Sequence, residues 1–101
     1  MHKKRRLELI IERMAWKRAG RILEEAGMTG YTALPAFAGF GGGSRWQRDT
    51  DISGSRDMVV MVAIGDEATV TKALEDLQRL LESHIGVLNV SDVDVMRPEL
   101  F

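Results

Sequence analysis

The chain has no cysteine. A disulfide framework, a thiolate zinc site and a catalytic cysteine are therefore excluded, and a reducing cytoplasm is the compartment this fits. It has two prolines, Pro35 and Pro98. Proline cannot donate a ladder hydrogen bond, so Pro35 is expected at an edge strand or a bulge, and Pro98 closes the last strand. Net charge is nearly absent: 14 Lys and Arg face 15 Asp and Glu, leaving −1. That balance argues against non-specific nucleic-acid binding as the main activity. No apolar run is long enough to span a bilayer, so no membrane insertion is expected. The basic start, Met1 to Arg6, has the charge of a leader n-region. Leu7 to Glu12 then carries acids and no cleavage site, so a solvated strand entry is the reading preferred over a leader or a phosphate-binding arm. A length of 101 residues suits a single domain, 1–101, with one modest core.

Four apolar strand patterns and two helical ones are present. Arg5 to Glu12 alternates, with Leu7, Leu9 and Ile11 on one face. Met14 to Ala26 reads as a helix whose stripe is Trp16, Ala19, Leu23 and Ala26, stopped by Gly27. A second strand runs from about Tyr31 to Ala38, and a third from Met58 to Ile64, apolar on both faces. Asp66 is suited to cap a second helix, running to about His84 with Val70, Ala73, Leu74, Leu77, Leu80 and Leu81 as its stripe. A fourth strand covers about Leu88 to Met96. This β-α-β-β-α-β order predicts an α+β, ferredoxin-like fold: an antiparallel four-stranded sheet with both helices on one face. Val59, Met61 and Ala63 are expected on the uncovered face, where other copies of the chain would hide them in a symmetric oligomer.

The organising stretch is Gly30 to Ser44, which starts as a strand and ends in the cluster Gly39-Phe40-Gly41-Gly42-Gly43-Ser44. A long flexible loop is expected over 39–56. Clustered glycines let backbone N–H groups converge on an anion and let a ligand approach closely. The cluster is no P-loop, because no Gly-Lys-Ser/Thr follows. Gly41, Gly42, Gly43 and Ser44, with Arg45 or Arg48, would suit a small planar anion. Ion pairing of Arg45, Arg48 and Arg56 with Asp49, Asp51 and Asp57 is the plainer alternative. Trp46, without apolar neighbours in sequence, reads first as a contact for a protein partner, with a ring folded back over a ligand cleft as the alternative. His84 in the last helical turn reads first as a cation favouring the dipole, with phosphate contact as the alternative. Asp92 and Asp94 share a strand face and read as edge solubility rather than a metal pair. No ligand set for a structural metal is apparent.

Two segments, Leu23-Glu24-Glu25-Ala26-Gly27-Met28-Thr29-Gly30-Tyr31-Thr32 and Gly39-Phe40-Gly41, resemble the PII signal-transduction family, and His84-Ile85-Gly86 resembles its loop after the second helix. The resemblance extends over nearly the whole chain. It implies a homotrimer that signals to a protein target through the 39–56 loop and binds adenine nucleotides between subunits. Carried onto this sequence, it places Gly30, Tyr31 and Thr32 on the adenine and ribose side, with Ala63 and Ile64 walling the base. Gly39, Phe40 and Gly41 would lend backbone at the loop base, and His84, Ile85 and Gly86 would lie on the phosphate side. The chain departs from the family at three cationic positions. Gly42 stands where a basic residue follows Gly-Phe-Gly, Asn89 stands where a lysine is expected, and only Arg97 precedes Phe101. Charge-assisted hydrogen bonds are worth roughly 1.5–3 kcal/mol each, so ADP or AMP rather than ATP is the expected ligand. With no tyrosine in the loop, the uridylylation of some members has no acceptor. A short, Gly-rich loop in a chain without cysteine looks like the PII-like proteins associated with carboxysomes and inorganic-carbon transport, which implies bicarbonate as a second ligand. A sensor rather than an enzyme is expected, since no base stands beside a nucleophile and no lysine serves a phosphate loop. The rivals are a trimeric metal-tolerance protein of the same architecture, and a small enzyme on this scaffold, such as a slow nucleotide hydrolase. An RNA-binding module ranks last because the first and third strands lack exposed aromatics.

Overall fold

The computed structural model describes residues 1–41, 43–47 and 57–101, with 44–47 described by backbone alone. The elements are β1 (His2–Glu12), α1 (Trp16–Ala26), β2 (Thr32–Pro35), β3 (Ala38–Gly41), β4 (Ser44–Gln47), β5 (Met58–Gly65), α2 (Glu67–Leu81) and β6 (Gly86–Val95). Short 3-10 turns precede α1 and follow β6. The main sheet has the order β2-β5-β1-β6, with every neighbouring pair antiparallel. This is the expected ferredoxin-like α+β arrangement. Pro35 ends an edge strand, where its missing donor is harmless.

The clean alternation of β1 decides which side is the core. Leu7, Leu9 and Ile11 are fully buried, and they stand opposite Ala63, Met61 and Val59 of β5. Ala19, Leu23, Val70, Ala73 and Leu77 close over them from the helices. The expected open face is thereby corrected. Val59, Met61 and Ala63 lie under the helices, and Met58, Val60, Val62 and Ile64 face the other way. In a strand apolar on both sides, parity alone cannot choose; its partner's register does.

Several boundaries also differ from expectation; the second strand, expected to run to Ala38, ends at Pro35, and Ala38 opens β3. α2 stops at Leu81, so His84 lies in the turn that leads to β6. Gly86 opens β6 opposite Ile11 rather than merely ending a helix. The segment read as an irregular loop from Gly39 contains a hairpin: β3 pairs with β4 in the register Ala38↔Gln47 to Gly41↔Ser44. Its two-residue connection suits glycine because Gly43 adopts a φ of 83°. α1 ends as expected. Gly27 has a φ of 100°, its N–H reaches the Glu24 carbonyl, and the Met28 N–H reaches that of Leu23. This Schellman closure turns the chain from the helix directly towards β2.

Candidate functional site

Beyond Met28 the chain crosses the end of the sheet and forms a cleft of about 300 Å³. Its floor is Val62, Ala63 and Ile64 of β5, and one wall is Thr29 to Thr32. Leu100 and Phe101 form the opposite rim. The Thr29 hydroxyl donates to the Leu100 carbonyl at 3.3 Å, fastening the last turn beside the cleft. The Tyr31 ring lies against Gly20 of α1, where an added Cβ would meet the phenol oxygen at 2.4 Å. A small residue in the helix thus seats an aromatic wall of the cleft.

Gly30 is the telling position. Its φ is not positive, and apart from its own backbone and its two chain neighbours no heavy atom lies within 4 Å of where its Cβ would be. Neither backbone conformation nor packing within the chain demands glycine there. Gly30 lines the cleft with open space beside it, and the cleft has apolar walls and backbone groups, the features a flat heterocycle needs.

The expected phosphate-side residues lie elsewhere. Arg6 stands opposite Ile64 at the cleft end of the sheet, whereas Ile11 stands opposite both Val59 and Gly86 at the other. Five residue steps along a strand amount to roughly 17 Å. The cleft and the turn 82–86 of one chain therefore do not meet. At this second end His84 is held firmly. The Arg18 guanidinium, which can only donate, contacts Nε2 at 2.6 Å, so Nδ1 carries the proton and donates to Glu12 Oε1 at 2.9 Å. The same Glu12 oxygen accepts the Ile85 N–H at 3.1 Å, and the Glu12 N–H donates back to the Ile85 carbonyl at 3.1 Å. The amide of Ile85 is thus already engaged within the chain, while its side chain is exposed.

His84 and Glu12 side chains are only 11% and 15% exposed, so their contact is shielded. His84→Ala is expected to lower unfolding free energy by about 1.5 kcal/mol, the loss of a hydrogen bond to a charged group. Urea denaturation with an unchanged slope would show it.

The remaining candidates fall in three places. Gly39, Phe40 and Gly41 lie on β3, opposite Trp46, Arg45 and Ser44 respectively. Phe40 is 68% exposed, and Phe37, the residue before β3, is 69% exposed. Gly41 resembles Gly30 in having nothing within 4 Å of a built Cβ. Gly42 and Arg48 lie outside the described residues, as do the side chains of Ser44, Arg45 and Trp46. Asn89 is in mid-strand, donating to Glu8 at 3.4 Å, away from both ends. Asp57 is buried, and Arg13 is one of its partners at 3.6 Å; Arg48, Arg56 and the Arg45 side chain, its expected partners, lie outside the described residues. Asp92 pairs with Arg5 at 3.0 Å. Among the described residues, no group of three His, Asp or Glu side chains could hold a metal ion, and no helix is long and apolar enough to cross a membrane.

Sequence reasoning missed Thr29, Leu100 and Phe101 as cleft residues. Pro98 marks a turn before the apolar Leu100 and Phe101, but no sequence signal says where that turn leads.

Residues 4–100 match the family model described as Nitrogen regulatory protein P-II. Among solved structures, the chain is similar to CPII, a nitrogen regulatory PII-like protein from Thiomonas intermedia K12, bound to ADP, AMP and bicarbonate. Identity is 29%, with 99% of this chain and 94% of that one covered and a TM-score of 0.87. The same protein bound to ADP and bicarbonate gives 29% identity, 99% and 95% coverage, and a TM-score of 0.83. The GlnK–ATP complex of B. subtilis gives a TM-score of 0.71 over 98% of both chains at 12% identity, a likeness of fold alone. No curated protein sequence matched.

Proposed function

The chain belongs to the nitrogen regulatory protein P-II family, and on that premise we propose that it is a regulatory sensor of ADP or AMP that signals rather than catalyses. The adenine sits in the cleft between Gly30 and Ile64. The phosphates reach the turn 82–86 and the hairpin base of a neighbouring copy in a homotrimer. The observation that carries this reading is Gly30, an unfilled position in a cleft whose complementary loop stands at the far end of the same sheet. Two ends of one sheet can serve one ligand only if a second copy brings them together.

The preference for ADP or AMP over ATP follows from how little cationic grip the phosphate end offers. His84 is held between Glu12 and Arg18, and the Ile85 amide is spent on Glu12. Among the described residues of that turn, a third phosphate would find no further cationic side chain free of an existing partner. Bicarbonate, bound by both CPII structures, suits the segment Gly41 to Arg48, which offers backbone N–H groups and guanidinium. Occupation of the cleft would favour one arrangement of the 39–56 segment over others, and that segment would present Trp46 to a protein of inorganic-carbon metabolism in the cytoplasm.

The deciding experiment is calorimetric titration of the assembled protein with ADP, AMP and ATP, each with and without bicarbonate. Saturable heat without phosphate release is expected, with ADP and AMP tighter than ATP. Bicarbonate should tighten ADP, and ADP bicarbonate, by the same factor. Failure of every adenylate to bind would remove the reading. An ATP affinity tenfold above that of ADP would remove its nucleotide preference, and steady phosphate release would favour a hydrolase.

A further inference from the structure

Glycine is a poor helix former, so its presence inside α1 asks for a steric reason. Gly20 lies midway along that helix, buried and without a positive φ. No turn or cap calls for it there. The reason is a close approach from outside the helix. A Cβ at Gly20 would lie 2.9 Å from Tyr31 Cζ and 3.4 Å from Tyr31 Cε2, with the phenol oxygen nearer still. All of these atoms belong to the far end of one side chain.

Tyr31 also lines the cleft, on the wall that runs from Thr29 to Thr32, and it is half-buried against the core. The tyrosine therefore links α1 to the cleft. An aromatic ring meets a second flat ring well only over a narrow range of offsets and separations. Where the Tyr31 ring lies is limited by how near α1 lets it come, and glycine lets it come nearest. A Cβ at position 20 would meet no rigid backbone first, only a side chain that can swing. With α1 blocking one side, the ring would move towards the cleft.

We propose that Gly20 is a positioning residue of the nucleotide cleft: it lets the Tyr31 phenol rest on α1 and so holds the ring back as a wall, clear of the space for the base. This deepens the reading that a purine occupies the cleft, and rests on it.

Fluorine NMR and calorimetry on the full chain test it. Tyr31 is the single tyrosine, so fluorotyrosine labelling gives one signal. ADP should shift that signal in wild type, and in G20A it should be displaced before ADP is added. G20A should bind ADP about tenfold more weakly, the scale of one misplaced aromatic contact. Its urea midpoint should not fall, because alanine favours the helix and only the end of a side chain has to move. A purely structural glycine would give the opposite result, with the midpoint lowered and the affinity kept. Y31L supplies the cross-check, since leucine lacks the phenol oxygen and Cζ. Y31L weakens ADP binding by itself, having lost a wall, but on that background G20A should weaken it less than about twofold further.

The inference is overturned if G20A binds ADP as wild type does, or if its tenfold loss persists in Y31L. It is also overturned if G20A fails to fold, since the ring then cannot yield. A wild-type fluorine signal that saturating ADP leaves in place overturns it without any variant. In each of these cases a wild type that binds ADP keeps the occupied-cleft reading. A wild type that binds no adenylate removes that reading, and this inference with it.

Discussion

Gly86→Ala should lower the unfolding free energy by about 3 kcal/mol, the upper range for forcing an extra carbon into a packed site. The added Cβ would lie 2.5 Å from the Ile10 carbonyl oxygen, 3.2 Å from the Ile11 Cα and 2.7 Å from Leu81 Cδ2. The leucine can rotate away. The other two atoms are backbone of β1, the central strand that holds both β5 and β6. Relief would therefore require β6 to move off β1 at the start of their ladder, next to the Ile11↔Gly86 pair. The measurement is a urea midpoint shifted at constant slope. Nucleotide binding should weaken mainly through unfolding, with a smaller further loss from displacement of the phosphate-side turn. An unchanged midpoint with weakened ADP binding would mean that glycine is needed there for the ligand and not for the sheet.

That position illustrates what the sequence conceals. The family resemblance points to Gly86 as a loop residue near phosphate, and nothing in the local pattern betrays a close approach between strands. Steric demand at a glycine is a property of what lies across from it. The same holds for His84. Its place near a helix end suggests a dipole interaction, while its actual partners, Glu12 and Arg18, are 72 and 66 residues away.

Where a signal is local, it reads well. Gly27 after an amphipathic stripe gives a helix stop, and the alternation of Leu7, Leu9 and Ile11 gives a core face. The order of elements gives the sheet topology. Where two readings share one pattern, the sequence misleads. Val59 to Ile64 offers two apolar faces, and the wrong one is chosen because the partner register is not visible in that strand. Glycine-rich composition argues against regular structure from Gly39 onward, yet β3 and β4 pair there, since a hairpin asks only for a turn that Gly43 can make. Of the cleft, the wall at Gly30 to Thr32 and the floor at Ala63 and Ile64 are legible through the family motif. The rim at Leu100 and Phe101 is not, because only the fold returns the end of the described chain to Thr29.

Gly30→Leu is expected to separate the two kinds of glycine in this chain. Unlike Gly86, Gly30 has open space where its Cβ would go and no left-handed φ. Stability should change by no more than about 0.5–1 kcal/mol, and a slight gain is expected from the reduced freedom of the unfolded chain. The leucine side chain would instead occupy the space assigned to the purine, against Val62, Ala63 and Ile64. ADP and AMP affinity should fall on the order of 100-fold, a difference of about 2.7 kcal/mol. Calorimetry reads the first effect and urea denaturation the second. Gly86→Ala should show the opposite emphasis, with the larger loss in stability and a smaller loss of affinity in the remaining folded protein from displacement of the phosphate-side turn. If Gly30→Leu leaves both quantities untouched, the cleft is not where the base binds, and the adenine must be sought among the exposed residues around Phe37 and Phe40. If it destabilises the protein as Gly86→Ala does, the apparent vacancy at Gly30 is taken up by the chain itself, and the observation on which the shared site depends is lost.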